Sequence, residues 1–249
     1  MNYNKISNDD LRKYWEINIL RWEKSAYYKS PYLKERLGFL DSLSILFRRD
    51  NMYRRMDAAI NFLEPYVPGL EILDIGCASG QFAFRLLKVG ADRVIGVDIT
   101  ASAIHMAKKR SNDSVYLDKL DFFKADVTRP NTELPKVDLV TALGVIEYFD
   151  SNSLATFLNN LKARYFFLSF PIKQKSGLSE YVLSLLRKFY LRLKHCPGVY
   201  SYSVDEFSNI SIRFGFADIW LVNYCNFYFI TNLPKERVAL NGKRSTDEI

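Results

Sequence analysis

The residues best placed to do chemistry lie in Glu71–Gly80, which reads EILDIGCASG. Leu70, Ile72, Leu73 and Ile75 form a short apolar run, the composition of a strand buried on both faces. Gly76 and Gly80 follow, and Gln81–Lys88 reads as the start of a helix. A strand, a glycine turn and a helix N-terminus together make a place where backbone approaches a ligand closely. A turn built to receive a pyrophosphate has the pattern G-x-G-x-x-G. Here Ala78 replaces the middle glycine, and Asp74 stands two residues before the first. A fixed negative charge at that point repels a pyrophosphate and suits a cationic ligand.

Further acids recur at the ends of short apolar runs. Val94–Thr100 (VIGVDIT) reads as a second buried strand closed by Asp98. Its distance from Asp74 is close to the interval of about 20 residues at which an acid meets a ribose diol. Phe122–Thr128 (FFKADVT) is a third, ending in Asp126 and Val127, and Val137–Phe149 (VDLVTALGVIEYF) is a fourth. Each has a plainer reading. The glycines could serve only the turn, Asp98 could cap a helix over Ala101–Lys109, and Asp126 could sit in an ordinary turn before Pro130. Their joint occurrence at the carboxyl ends of predicted strands favours a ligand site, because ligands of open α/β sheets bind there.

D-I-G-C-A-S-G resembles the first motif of the class I (Rossmann-like) S-adenosylmethionine-dependent methyltransferases, and the later runs resemble the family's other motifs in order over about residues 66 to 172. The resemblance implies S-adenosyl-L-methionine as cofactor and S-adenosyl-L-homocysteine as its product. It implies that Asp74 acts near the methionine end and that the turn of Gly76, Cys77, Ala78 and Gly80 admits the ligand. Asp98 would take the ribose hydroxyls, Asp126 and Val127 would read the adenine, and Ile99 and Leu143 would sandwich its ring. In many members the fourth motif ends in an acid followed by a histidine that serves as base. This chain has Glu147-Tyr148 there, and tyrosine, with an ordinary pKa of about 10, is a poor base near neutrality. The catalytic candidates are therefore Glu147, Tyr148 and, from the N-terminal aromatic group Trp22, Tyr27 and Tyr28, Tyr28; those aromatics also suit plain packing on the domain. A carboxylate acceptor would need no base. Phe170-Pro171 and Asn226–Phe229 are faintly similar to magnesium-protoporphyrin O-methyltransferases, which esterify a carboxyl.

The elements that must position these residues alternate: strand 71–75, helix 80–88, strand 93–98, helix 101–109, strand 120–124, strand 137–142, helix 151–161, strand 165–170. Such alternation predicts an α/β fold, doubly wound, with a mainly parallel sheet. With the family's closing pair the sheet has about seven strands and an antiparallel last one. That pair is expected over Phe216–Asn223 and Cys225–Thr231, turning at Asn223-Tyr224, after a helix over Tyr202–Phe214 that Ser203 and Glu206 start as a capping box and Gly215 ends. Residues 1–65 read as a helical extension or lid. Its first helix is capped by Asn8-Asp9-Asp10 and carries Leu11, Tyr14, Trp15, Ile19 and Trp22 on one stripe; a second covers Asp50–Glu64. Residues 66–234 form the main domain, with a helical substrate-cap insertion over 173–201, and 235–249 form a flexible tail. The basic amphipathic stretch 178–194 suits packing over an acceptor pocket, a membrane surface or an acidic partner.

With 249 residues, 48% hydrophobic and 25% charged, the chain has the composition of a globular protein and length for one domain with additions. The net charge of +7 is compatible with anionic acceptors but selects none. The 15% aromatic content suits either an apolar pocket or, more simply, packing in the flanks. Cys77, Cys196 and Cys225 are scattered and make no disulfide framework, and His105 and His195 make no metal cluster, so no metal is expected. No leader or membrane span is read, which suggests a cytoplasmic location. The N/D-P-P-Y/F tetrapeptide, the Pro-Cys pair of cytosine-C5 enzymes, the paired-glutamate loop of arginine methyltransferases and an RNA-binding module are not found, so no nucleic-acid partner is expected. The expected activity is methyl transfer to oxygen, hydroxyl or carboxylate, of a small-molecule acceptor in a biosynthetic pathway. The alternatives are an RNA or protein methyltransferase docking through helix 178–194, and a non-catalytic cofactor-binding protein. Peripheral membrane contact is less favoured, and oligomeric state is left open.

Overall fold

The computed structural model describes residues 8–27, 52–171, 200–225 and 227–235, without the side chains of residues 8, 21, 22 and 24–27. Tyr28, helix 178–194 and residues 236–249 therefore lie outside the described residues, as do the side chains of Trp22 and Tyr27. In chain order the elements are α1 (Asn8–Tyr27), α2 (Met52–Leu63), β1 (Glu71–Ile75), α3 (Gln81–Lys88), β2 (Arg93–Asp98), α4 (Ala101–Asn112) and β3 (Leu120–Lys124). Then come β4 (Lys136–Leu143), α5 (Ser151–Asn160), β5 (Lys162–Ser169), α6 (Val204–Ser211), β6 (Trp220–Tyr224) and β7 (Phe227–Thr231).

The seven strands form one sheet in the order β3-β2-β1-β4-β5-β7-β6. β1 to β5 are mutually parallel, and β7 inserts antiparallel between β5 and β6. The central strands are apolar on both faces because helices cover both, and two cores result. On one face Met56, Phe62, Leu86, Ala107 and Phe122 pack from α2, α3, α4 and β3; on the other Leu154, Phe157 and Phe207 pack from α5 and α6. Much of the aromatic content is packing of this kind. Phe167 stacks on Phe62 at 5.4 Å and on Phe229 at 4.6 Å, and Phe166 meets Phe207 and Phe216 edge-on.

Caps fix several helix ends, among them the capping box and the Gly215 stop read from the sequence. Asp150 caps α5 by accepting from Ser153 N at 2.7 Å, and Ser203 and Glu206 form both bonds of the capping box on α6. Gly215 closes that region with φ 84°. Some boundaries differ. α4 runs to Asn112 because its inward stripe of Ala103, Ile104 and Ala107 continues to Ser111. β5 starts at Lys162, where it already pairs with Lys136, and ends at Ser169. The closing strand β6 starts at Trp220, not Phe216, because Asp218 takes a left-handed backbone (φ 54°). The hairpin turns beyond Asn223-Tyr224, because both still pair across the ladder, with Tyr228 and Phe227. Lys235, the first residue of the expected tail, lies over the Trp220 ring at 5.7 Å. Among the described residues no helix is long and apolar enough to cross a membrane.

Candidate functional site

Strand order reverses between β1 and β4, and Asp74 and Thr141 are register partners across that switch point. Asp74 is 3% exposed. Its Oδ1 accepts a bond of 3.0 Å from Thr141 Oγ1, while Oδ2 is buried with no hydrogen-bond partner. Burial, against the Thr141 bond and with the nearby Asp98 charge, raises this carboxyl from 3.8 to about 7. A buried carboxylate oxygen left without a donor is a receptor for a cation or an ammonium.

The turn after β1 is shaped by close approach. Gly76 has φ 68°, and a Cβ there would lie 2.2 Å from Val145 Cγ2, so only glycine lets the turn meet the segment after β4. Gly76 N and Cys77 N both donate to Val97 O, at 2.7 and 3.1 Å. Ala78 holds a left-handed backbone, φ 49°, a conformation that disfavours a side chain by about 1 kcal/mol. It is held there because its N–H donates to Asp98 Oδ2 at 3.0 Å. Gly80 (φ 82°) caps α3.

Asp98 therefore has an internal task. Its Oδ1 accepts from Thr100 N at 2.9 Å and Thr100 Oγ1 at 2.8 Å, and the side chain is buried. Burial raises its pKa, offset by the Thr100 and Ala78 bonds. The cap of α4 is Thr100, so Asp98 stabilises the capping residue instead of capping the helix itself. Cys77 is buried, and burial together with Asp98, Asp74 and Glu23 pushes its thiol up, which excludes it as a nucleophile. Among the described residues no group of three His, Cys, Asp or Glu side chains could hold a metal ion.

The N-terminal helix reaches this site, and sequence reasoning missed how. Glu23, 4% exposed, accepts from Ser79 N at 2.8 Å. Glu16, seven residues earlier on the same helix face, accepts from Ala101 N and Ser102 N at 2.8 Å each. Burial works to raise the Glu16 carboxyl, but those bonds and Lys124 hold it below its ordinary value. Between the two acids Ile19 packs on Ala78 and Ala103. Trp15 meets Tyr148 edge-on at 5.6 Å. The available signal was two acids flanking an apolar position on one face.

Past the end of β4, the 3-10 turn Ile146–Tyr148 carries a buried Glu147. Its backbone oxygen accepts from Tyr200 N at 2.6 Å, and Tyr202 donates its hydroxyl to Phe149 O at 2.6 Å. A Cβ on Gly144 would lie 3.2 Å from Arg55 Nη1 and 3.7 Å from Glu147 Oε1. A guanidinium from α2 and a carboxylate thus border the same small space. Arg55 was not singled out from the sequence. On the adenine side Asp126 lies just past β3, and its carboxylate accepts from Thr128 N, Thr128 Oγ1 and Arg129 Nε at 3.1, 2.6 and 3.3 Å. Val127 is buried and its carbonyl accepts from Asn160. Ile99 is half-buried and Leu143 buried.

Residues 72–164 match the family model described as a methyltransferase domain. The chain is built on the class I methyltransferase fold. Magnesium protoporphyrin IX methyltransferase from Synechocystis, solved with bound SAH, superposes with a TM-score of 0.63 at 19% identity, covering 90% of this chain and 97% of that one. An S-adenosylmethionine-dependent methyltransferase from Mesorhizobium loti gives 0.51 at 19% identity, covering 70% and 94%. The [4+2]-cyclase SpnF gives 0.57 at 13% identity, covering 86% and 73%, so this fold also carries other chemistry. Ribosomal protein L11 methyltransferase from Thermosipho africanus is 41% identical over 66 residues, which is 25% of this chain and 25% of that protein. The Escherichia coli protein of that name is 32% identical over 74 residues, 30% and 24%. The chain thus matches these curated relatives over about a quarter of their length.

The structure brings Asp74, Gly76, Cys77, Ala78, Gly80 and Asp98 together around the first turn. Glu147 and Tyr148 lie after β4, where Val145 contacts that turn through Gly76. Asp126 and Val127 stand past the end of β3, beside Asp98, whose carbonyl accepts from Ala125 N at 3.0 Å. Tyr28 lies outside the described residues.

Proposed function

We propose that the protein is an S-adenosylmethionine-dependent methyltransferase that acts on an oxygen of a small, anionic acceptor. The observation that carries the cofactor assignment is Asp74: a buried carboxylate at the switch point, beside the glycine turn, with Oδ2 lacking a donor. That is a receptor for positive charge where a pyrophosphate fold would keep none. Asp98 has three of its acceptor positions used by Thr100 and Ala78, which leaves room to accept from a ribose diol while holding the turn. Ile99 and Leu143 would flank the adenine, and Asp126 with Val127 would meet its edge. Bound in this way, the cofactor supplies an electrophilic methyl group on a sulfonium.

The chain's own residues then have to align an oxygen nucleophile with that methyl and exclude water. Trp15 covers Tyr148, and α1 lies over the glycine turn, which favours exclusion of solvent from that end. Arg55 beside Glu147 supports an acceptor bearing a carboxylate, since a guanidinium orients such a group without needing to remove a proton. Where the acceptor is a hydroxyl, the buried Glu147 would take its proton. Calorimetric titration of the purified protein with S-adenosylmethionine and S-adenosylhomocysteine tests the donor half; micromolar affinity, about −8 kcal/mol, is expected. A screen with labelled methyl groups over carboxylate and hydroxyl metabolites tests the acceptor half. No binding of either ligand by folded protein overturns the reading. Binding with methyl transfer only to RNA or to a protein substrate overturns its small-molecule part.

A further inference from the structure

The cofactor end of the site holds more negative charge than the motifs account for. Asp74 and Asp98 come from β1 and β2, and Glu23 joins them from α1. Asp98 and Glu23 accept from the adjacent Ala78 N and Ser79 N of the turn, and all three acids help push up the Cys77 thiol, which burial raises most. Each is at most 7% exposed, and Asp74 Oδ2 has no hydrogen-bond partner. They do not converge closely enough to hold a metal ion. Among the described residues Arg110 bonds to this turn, where it donates to the carbonyl and hydroxyl of Ser79, the residue whose N–H Glu23 accepts. Glu23 is also the one acid of the three that arrives on a separate helix, so its docking is free to depend on what the pocket contains.

Resting on the proposed cofactor, we infer that Glu23 reads the ligand's charge: it closes α1 over the sulfonium form of the cofactor and loosens when the sulfur becomes neutral. On transfer the S–CH3 bond breaks with its electron pair left on sulfur, and the O–CH3 bond forms. The sulfonium charge is cancelled by the charge of an anionic oxygen, or leaves as a proton taken from a hydroxyl. The pocket then contains one positive charge fewer against unchanged carboxylates, and repulsion among them in a low-dielectric site rises. Glu16 lacks this role. It docks on the N-terminus of α4 with Lys124 and Asp98 as its charged neighbours, so it seats the helix and touches the pocket's charge only through Asp98, on the ribose side that both ligands share.

The test compares dissociation constants for S-adenosylmethionine and S-adenosylhomocysteine in the wild type, Glu23→Gln and Glu16→Gln. The amide that Glu23→Gln introduces can still accept from Ser79 N, so the packing is kept while the charge is removed. Glu23→Gln is expected to shift the ratio of the two constants about tenfold towards the product, equivalent to about 1.4 kcal/mol. Glu16→Gln is expected to weaken both ligands alike, leaving the ratio within about twofold. A ratio unmoved by Glu23→Gln, or moved equally by both variants, overturns the inference. A wild type that binds neither ligand overturns the cofactor reading itself, and this inference with it. Trypsin cleavage of the wild type in α1, at Arg21 or Lys24, gives a measurement that needs no variant. Saturating S-adenosylmethionine should slow it more than saturating S-adenosylhomocysteine, and equal protection counts against the charge mechanism.

Discussion

Replacing Asp74 by Asn should make the ligand-free protein more stable at neutral pH while removing its affinity for S-adenosylmethionine. The carboxyl titrates at about 7 in the fold against 3.8 in the unfolded chain, burial being the main cause. Ionising it in the fold is therefore about 4 kcal/mol less favourable than in the open chain. Because the folded value is the higher one, the fold retains a proton between about pH 4 and 7 that the unfolded chain has lost. This group's contribution is thus neutral below about pH 4, becomes progressively destabilising as pH rises to about 7, and is constant above that. Asparagine is neutral throughout and can still accept from Thr141 Oγ1. The stability difference, Asp74→Asn variant minus wild type, should be under about 1 kcal/mol at pH 4 and about 2 to 4 kcal/mol at pH 8, the lower figure allowing for an amide N–H that itself lacks a partner. Urea unfolding of both proteins at several pH values measures this, and taking the difference removes the titration of all surface carboxylates. Calorimetry with the ligand supplies the second half: near pH 6.5 wild-type binding should release a proton, because a cationic ligand favours the ionised carboxylate. A variant destabilised equally at pH 4 and pH 8, or one that binds the ligand as the wild type does, would refute the reasoning.

Asp98→Ala should weaken S-adenosylmethionine by at least about 100-fold and destabilise the fold by about 1 to 3 kcal/mol, because it strands Ala78 N and the Thr100 hydroxyl as well as losing the ribose contact; unchanged affinity in calorimetry would remove the ribose assignment. Gly76→Ala should cost about 2 to 4 kcal/mol in urea unfolding, since φ is 68° and the new Cβ would meet Val145 Cγ2 at 2.2 Å. Gly69→Ala is its control: φ is 78° but nothing lies within 4 Å, so about 1 kcal/mol is expected, and equal losses at the two glycines would show that close approach is irrelevant. Ser203→Ala should cost about 1 kcal/mol by breaking the capping box of α6, with no change in ligand affinity.

The first three strands, β1, β2 and β3, were legible to the residue from short apolar runs with polar stops. β4 and β5, read as 137–142 and 165–170, run over Lys136–Leu143 and Lys162–Ser169 because their ladder pairs Lys136 with Lys162. The closing hairpin was also less legible. Asn223 suggested a turn, but cross-strand pairing carries Tyr224 into the ladder, and Phe216 is apolar because it packs on Phe166, outside any strand. Asp74 and Asp98 were legible because each sits at the end of a strand in a known interval. Glu16, Glu23 and Arg55 were not, because acids and bases on a helix look the same in a sequence whether they face water or a partner. Glu23 meets Ser79 across 56 positions, a contact fixed only when the sheet and α1 are both in place. Thr141 escaped notice for the same reason: only the β1–β4 register sets its hydroxyl against Asp74.

Those late-appearing residues also explain how a topology suited to phosphates can present a site for a cation. The N-terminus of a helix after a glycine turn carries unsatisfied N–H groups and a partial positive charge, and in dinucleotide folds an anion takes them. Here Glu23 accepts from Ser79 N, just before the Gly80 cap of α3, and Glu16 accepts from Ala101 N and Ser102 N in the first turn of α4. Both acceptors are carboxylates of the chain itself. With Asp74 and Asp98 added from the strand ends, four acids of the chain surround the turn and the start of α4, which disfavours a phosphate there. The reversal of preference begins in the turn, where Ala78 replaces the middle glycine and Asp74 precedes the first, on an unchanged topology. It also needs one helix, α1, carrying two acids on one face and seated by Trp15 and Ile19, so the selectivity of the strand-end motifs depends on a segment that lies outside them.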